Sequence, residues 1–167
     1  MLWRKVGNSF SKNINRNNDL VTDLCSLAKL HPDTVLIFDD SGKIVSENKK
    51  GYRAAFGFNP KHLNDFQHNL PEQTYRMLEA GLEQALHGQA NKLSISFTSN
   101  TVKPHYFHVT FLPIQFDKGQ AEGVFCIFEN ITERVELEKA LHLKTKHLSN
   151  AQQVAKIASW EYLSEKD

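Results

Sequence analysis

Gly123-Val124-Phe125-Cys126-Ile127-Phe128-Glu129-Asn130-Ile131-Thr132-Glu133-Arg134 is the stretch whose reading decides the fold. Its first half is a short apolar run, β-branched and aromatic, bounded by glycine and long enough for one buried strand. From Ile131 onward the period becomes helical and the charge density rises. Asn130 stands at the change, where its side chain can cap the new helix by accepting from free first-turn amides. A strand over 123–129 that runs directly into a helix from 131 is therefore expected.

Two more strands precede this junction. His105 to Phe116 alternates Phe107, Val109 and Phe111 against His108 and Thr110. Lys92 to Thr98 alternates Leu93, Ile95 and Phe97 against Lys92, Ser94, Ser96 and Thr98. Such alternation belongs to antiparallel strands with one buried face. Asp117-Lys118-Gly119 supplies the turn into the last strand. Upstream, Pro71 to His87 reads as a helix. Pro71 and Glu72 suit its start, Gly88 suits its C-terminal cap, and Tyr75, Leu78, Leu82, Ala85 and Leu86 form its apolar stripe. Gly81 in its interior weakens the pattern, since glycine there costs about 1 kcal/mol relative to alanine.

Val35 to Phe38 and Lys43 to Ser46 flank Asp39-Asp40-Ser41-Gly42 and make a hairpin. The interval from Asn48 to Asn64 mixes Tyr52, Phe56, Phe58 and Leu63 with Gly51, Gly57 and Pro60, which fits short helical turns. Before the hairpin, Leu20, Leu24 and Leu27 share a helical face between a cap at Asn18 or Asp19 and a stop at Pro32. Gly7 to Asn18, rich in Asn, reads as an arm with too little apolar surface to order itself. Strands first and last with helices between them make an α+β domain: a five-stranded antiparallel sheet with helices on one face.

Composition narrows the function. The chain has 167 residues, is 40% hydrophobic and carries 11 Phe, enough for one domain with an aromatic core. Twenty basic and 19 acidic residues leave a formal charge of +1. Phosphate binding needs clustered, uncompensated Lys and Arg, so nucleic acid is not the expected partner, and Arg4-Lys5 and Lys49-Lys50 read as solvated surface. Cys25 and Cys126 lie far apart in apolar patterns, without metal-ligand spacing; they read as core residues in a reducing compartment. No run approaches the roughly 18 apolar residues that cross a bilayer. The N-terminus lacks the apolar centre of a signal peptide. A cytoplasmic location is expected, with membrane association of a parent protein left open.

The 123–134 stretch closely resembles the end of a PAS domain, where the last strand enters an Asp-Ile-Thr-Glu-Arg signature and a helical linker. Asp39-Asp40-Ser41-Gly42-Lys43-Ile44 resembles the family's first hairpin and Phe56-Gly57-Phe58 its Phe-Gly-Tyr segment. His105-Tyr106-Phe107-His108-Val109 and Leu112-Pro113-Ile114 resemble its fourth strand. The resemblance covers about residues 27 to 135. Ala151-Gln152-Gln153-Val154-Ala155-Lys156-Ile157-Ala158-Ser159-Trp160-Glu161-Tyr162 resembles the opening of another PAS domain in tandem. Two departures stand out: Asn130 replaces the usual Asp, and the interval from Asn48 to Phe56 is one residue longer than is common.

The resemblance implies an arm over 1–18, an amphipathic helix over 19–31, a PAS domain over 32–130, a linker helix over 131–150 and a truncated second PAS domain over 151–167. It implies a sensory box of a bacterial multidomain protein in two-component or cyclic-dinucleotide signalling. Such a module acts as a homodimer through its N-terminal and linker helices. It relays to a C-terminal output domain, such as a diguanylate cyclase, a cyclic-dinucleotide phosphodiesterase or a histidine kinase, and is not itself an enzyme. The linker shows a partial heptad: Arg134, Leu141, Leu148 and Ala155 align with Leu137, Lys144 and Ala151. Asn130, Thr132 and Arg134 at the strand-to-helix junction are the residues expected to transmit the signal.

Chemical motifs are few. There is no nucleophile elbow, phosphate-binding glycine loop, His-Glu-x-x-His or zinc spacing. His105 and His108, three apart on a strand, fall on opposite faces and cannot chelate together. Haem-binding relatives use a histidine on the long helix facing the pocket. Here the inward stripe is Tyr75, Leu78, Leu82 and Leu86, with His87 only at its end, and Met77 reads as side packing. The Asn-Cys-Arg-Phe-Leu-Gln-like helix of a photoactive flavin domain is absent. The cofactor stays open, with haem and photoactive flavin disfavoured.

Glu129, Glu133, Asp39 and Asp40 fit turn and capping roles. A pocket for an apolar small molecule would be lined by Ile37, Phe56, Phe66, Leu78, Leu82, Ile95, Phe97, Phe107, Val109, Phe111, Phe125 and Ile127. The same residues also make a plain hydrophobic core. Two other readings follow: a ligand-free dimerisation module, or an enzyme or carrier of similar cone-shaped fold, for which Tyr75 is the polar candidate.

Overall fold

The computed structural model describes residues 18–48, 56–98, 104–115 and 121–164. The expected arm, the Asp117-Lys118-Gly119 turn and the stretch just before Phe56 lie outside the described residues. In chain order the elements are α1 (Asn18–Leu30), β1 (Thr34–Asp39), β2 (Ile44–Glu47), α2 (Asn64–Gln67), α3 (Glu72–Leu86), β3 (Asn91–Thr98), β4 (Pro104–Ile114), β5 (Gly123–Asn130) and α4 (Thr132–Ser164). The five strands form one sheet in the order β2-β1-β5-β4-β3, every pairing antiparallel. The last strand in sequence is thus the middle strand in space.

Local chemistry accounts for the element ends. The Asp39 carboxylate accepts from Ser41 N (2.9 Å), Ser41 Oγ (2.6 Å) and Lys43 N (3.0 Å), which folds the β1–β2 turn around one side chain. Pro71 caps α3 with Glu72 in its first turn. Gly88, at φ 84°, follows the last helical turn in the left-handed conformation that glycine adopts without strain. The free edge of β2 is covered by residues 61–63: Ile44 N donates to Lys61 O (2.9 Å) and Leu63 N to Gly42 O (2.8 Å).

The sheet buries both faces near β1 and β5. The inner face carries Leu36, Phe38, Val124, Cys126 and Phe128 from these strands, with Ile95, Phe97, Phe107, Val109 and Phe111 from β3 and β4. Leu63, Phe66 and Leu70 around α2 and Tyr75, Leu78, Leu82 and Ala85 of α3 close over it. Gly81 is a point of close approach between α3 and the sheet. A Cβ there would stand 2.7 Å from Phe111 Cε2 and 3.0 Å from Leu93 Cδ2. The glycine that weakened the helical pattern is what lets the helix lie down on β4. On the outer face, α1 sets Ala28 against Val35, Ile37 and Ile114, with Leu24, Cys25, Phe125 and Ile127 around them.

The chain divides into one compact unit ending at Ile131 and a second beginning at Thr132. The second contains the 33-residue α4. At about 1.5 Å per residue it is roughly 50 Å long. No helix among the described residues is long and apolar enough to cross a membrane.

Candidate functional site

The inner face of the sheet, where most of the expected pocket residues lie, is rich in aromatic rings. Phe56 packs against five others: Phe97 and Phe107 in stacked contact at 5.4 and 5.6 Å, Phe66 and Phe128 edge-on at 5.4 and 5.2 Å, and Phe58 at 6.0 Å. Offset and edge-on pairs at such distances each add about 0.5–1.5 kcal/mol beyond the area they bury. Phe97 also stacks on Phe107 at 5.5 Å, and His105 borders both rings at 6.3 and 6.5 Å. At this end of the inner face the rings pack on one another, with Phe56 at their centre.

Nine of the twelve expected pocket residues meet on this face: Phe56, Phe66, Leu78, Leu82, Ile95, Phe97, Phe107, Val109 and Phe111. Ile37, Phe125 and Ile127 do not. They belong to the outer face, where Ile37 lies opposite Phe125 in the β1–β5 ladder and Val35 opposite Ile127. The inner positions of those strands are instead Leu36, Phe38, Val124, Cys126 and Phe128. The cause is period two: one step along a strand turns the side chain to the other face.

Few polar groups reach the inner side. Tyr75 is 6% exposed, and its hydroxyl lies 3.1 Å from Glu79 Oε1, to which it donates, and 3.5 Å from Asn64 Oδ1. Burial first, and then the Glu79 carboxylate, push its pKa up to about 12. The hydroxyl stays protonated at neutral pH and is engaged with α3's own surface. Thr74 Oγ1 donates to Ser96 O at 3.3 Å. The Cys126 thiol is fully buried, and burial raises its pKa, so it packs as a small apolar group. Cys25 lies half-buried on α1. Met77 packs against the edge of the inner core, and His87 is exposed with Nδ1 2.8 Å from Glu83 O. Among the described residues no group of three His, Cys, Asp or Glu is placed to hold a metal ion.

Glu47 was not foreseen as an inner-face residue. It lies opposite Leu36 in the β1–β2 pairing, so the two share a face. Its side chain is only 12% exposed. The next residue, Asn48, was not singled out either, yet it ties three segments together. Its Oδ1 accepts from Val35 N (3.0 Å) while its Nδ2 donates to Asp33 O (2.6 Å) and His31 O (3.3 Å). One side chain thus fixes the end of α1 to the start of β1 and the end of β2.

His105 and His108 take opposite faces of β4, as their spacing requires. His108 is outward, with Nδ1 3.4 Å from Glu129 Oε2, and Lys92 Nζ is also 3.4 Å from that oxygen. At the end of β5, Ile131 N donates to Tyr106 O at 2.9 Å, which pins the chain to β4 one residue before α4 begins. Asn130 is exposed at the last position of β5, Thr132 is half-buried at the first of α4, and Arg134 is exposed. On α4 itself Leu137, Leu141 and Leu148 are 63, 67 and 66% exposed.

A five-stranded antiparallel sheet in the order 2-1-5-4-3, closed on its inner face by helices and leaving through its middle strand into a long helix, defines a class of small α+β domain. The chain belongs to the PAS family: the family model described as PAS fold matches residues 30–136. No curated protein matches the chain. Solved structures with the same fold include the PAS domain of a protein from Colwellia psychrerythraea, with a TM-score of 0.52, 15% identity, and coverage of 69% of this chain and 99% of that one. A domain of the putative light and redox sensing histidine kinase from Haloarcula marismortui matches with a TM-score of 0.53, 15% identity, and coverage of 66% and 99%. The N-terminal domain of a diguanylate cyclase with PAS/PAC sensor from Marinobacter aquaeolei matches at 0.51, 9% identity, and coverage of 60% and 96%.

Proposed function

We propose that this chain is the signal-sensing and relay module of a cytoplasmic, multidomain bacterial signalling protein. Family membership supports a sensory role. The observation that carries the relay is the path of the chain. β5 is hydrogen-bonded to both β1 and β4, so a change on either side of the sheet adjoins it. It then continues through the single residue Ile131 into a 33-residue helix with exposed leucines. A two-state rearrangement needs an element that both the input and the output can bias, and this helix is that element. Asn130, Thr132 and Arg134 sit where the strand becomes the helix and are proposed as the transmission residues.

The partners follow. A second copy pairs through α1 and α4, and an output domain attached beyond residue 167 reads the rearrangement, with residues 151–167 as the start of a second PAS domain. Domains of this fold in a histidine kinase and in a diguanylate cyclase are consistent with either output. The reading that favours a ligand-free dimerisation module draws on the packed rings around Phe56. The enzyme or carrier reading draws on Tyr75 alone, whose hydroxyl is already committed to Glu79.

Native mass spectrometry of the purified chain, compared with its denatured mass, separates these readings. A dimer with an additional small mass is the expected result and would give the ligand's weight. A dimer of bare chains would assign the protein to the ligand-free module. A bare monomer would remove the α4 pairing on which the relay depends.

A further inference from the structure

One polar group on the inner face is not balanced by its surroundings. The Glu47 carboxylate is enclosed on the Leu36 side of the sheet, and its Oε2 has no hydrogen-bond partner among the described residues. Its other oxygen meets Lys61 Nζ only at 3.9 Å, and that lysine is 70% exposed, so the ion pair is long and largely solvated. Leaving a buried acceptor without a hydrogen bond costs more than an ordinary hydrogen bond returns. Glutamine or an apolar side chain of similar volume would fill the same place opposite Leu36 at lower cost. A carboxylate oxygen enclosed without a partner points to use in binding.

We infer that Glu47 is the specificity-determining contact for a small ligand that presents a cationic or amide-type N–H donor to the inner face beside Leu36. This rests on the sensing reading above and deepens it. Such a donor would satisfy Oε2 by a charge-assisted hydrogen bond, the strong kind, and its apolar body would lie on the Leu36 and Ile44 side of the core. The position also offers a route outward. Glu47 is followed directly by Asn48, whose side chain holds the end of α1 to β1 and β2. A ligand that draws on Glu47 therefore pulls next to the residue that sets α1 on the sheet.

The test uses benzamidine and benzoate, two flat aromatic probes of similar size and opposite charge, titrated into the full chain and followed by amide NMR shifts. Benzamidine is expected to move the amides of Leu36, Glu47 and Lys61 while benzoate does not. Glu47→Gln should weaken benzamidine about tenfold or more, the worth of one charge-assisted hydrogen bond. The same variant should leave the Tm of the ligand-free protein unchanged or higher, because the carboxylate oxygen it replaces makes no hydrogen bond among the described residues. Lys61→Met, at an exposed position, should leave Tm nearly unchanged.

Equal binding of both probes, no binding of benzamidine, or an unchanged affinity in Glu47→Gln would each overturn the inference. A fall in Tm shared by Glu47→Gln and Lys61→Met would make Glu47 a structural ion-pair residue instead. If the chain carries a small mass in native spectrometry and Glu47→Gln keeps it, the Glu47 assignment fails while the sensing reading stands. If neither mass nor probe binds, both fail.

Discussion

At the scale of single residues, two positions show how packing and charge override local preference. Gly81 is unfavourable in a helix interior by about 1 kcal/mol relative to alanine. Its missing Cβ, however, is the space that Phe111 and Leu93 occupy. Gly81→Ala should therefore destabilise the domain by about 1–3 kcal/mol, the usual cost of overpacking, in urea denaturation. A gain in stability would mean that α3 shifts freely and that the close approach is unimportant.

Glu129 shows the balance of charge. Burial by itself would raise its pKa, but Lys92, by hydrogen bond and charge, and then His108 outweigh it and hold the carboxyl below its ordinary value. A depressed folded pKa means a contribution present above the unfolded value of about 4.3 and lost as pH falls through the lower folded one. Lys92→Met should raise the Glu129 pKa toward the ordinary value in an NMR titration of its side-chain carboxyl carbon. The same curve in both proteins would show that the pairing at 3.4 Å has no electrostatic effect.

At the scale of elements, α4 is the one whose sequence and surroundings disagree. A helix with Leu137, Leu141 and Leu148 more than 60% exposed leaves a stripe without a partner among the described residues. Lys144 interrupts that stripe and Arg134 begins it, so pairing through it is expected to be modest and concentration-dependent. Replacing Leu141 and Leu148 together by glutamine should shift sedimentation toward monomer while leaving the thermal unfolding of the sheet domain in place. A dimer unaffected by both changes would move the pairing surface away from this helix.

α1 is legible for the opposite reason. Its apolar positions recur at helical spacing, and Ala28 finds its match on the outer sheet face. The consequence for the strands beneath it is less obvious. With α1 outside and α2 and α3 inside, β1 and β5 are buried on both sides, and a strand covered twice loses its alternation.

At the scale of the whole molecule, the fold joins an enclosed inner face to an exit helix through its middle strand. Thr132→Ala sits at that join. It should leave the sheet domain folded, at a cost of about 1 kcal/mol as is usual for a single substitution, while uncoupling the activity of an attached output domain from its signal. Folding and output lost together would make Thr132 a capping residue and nothing more.

The amino-acid sequence by itself determined the element order, the strand-to-helix junction after Glu129 and the membership of Ile95, Phe97, Phe107, Val109 and Phe111 in one face. In β3 and β4 polar residues alternate with those apolar ones, so the pattern states which side is buried. Val35-Leu36-Ile37-Phe38 and Val124-Phe125-Cys126-Ile127-Phe128 carry no such mark. Only the tertiary structure decided that Leu36 and Cys126 face in while Ile37, Phe125 and Ile127 face α1. It also decided that Glu47 and Asn48, unremarkable in the chain, become a buried carboxylate and a three-way clip. The physical reason is the same in each case: pairing register and the layers on either side of a strand come from contacts distant in sequence, which local pattern does not encode.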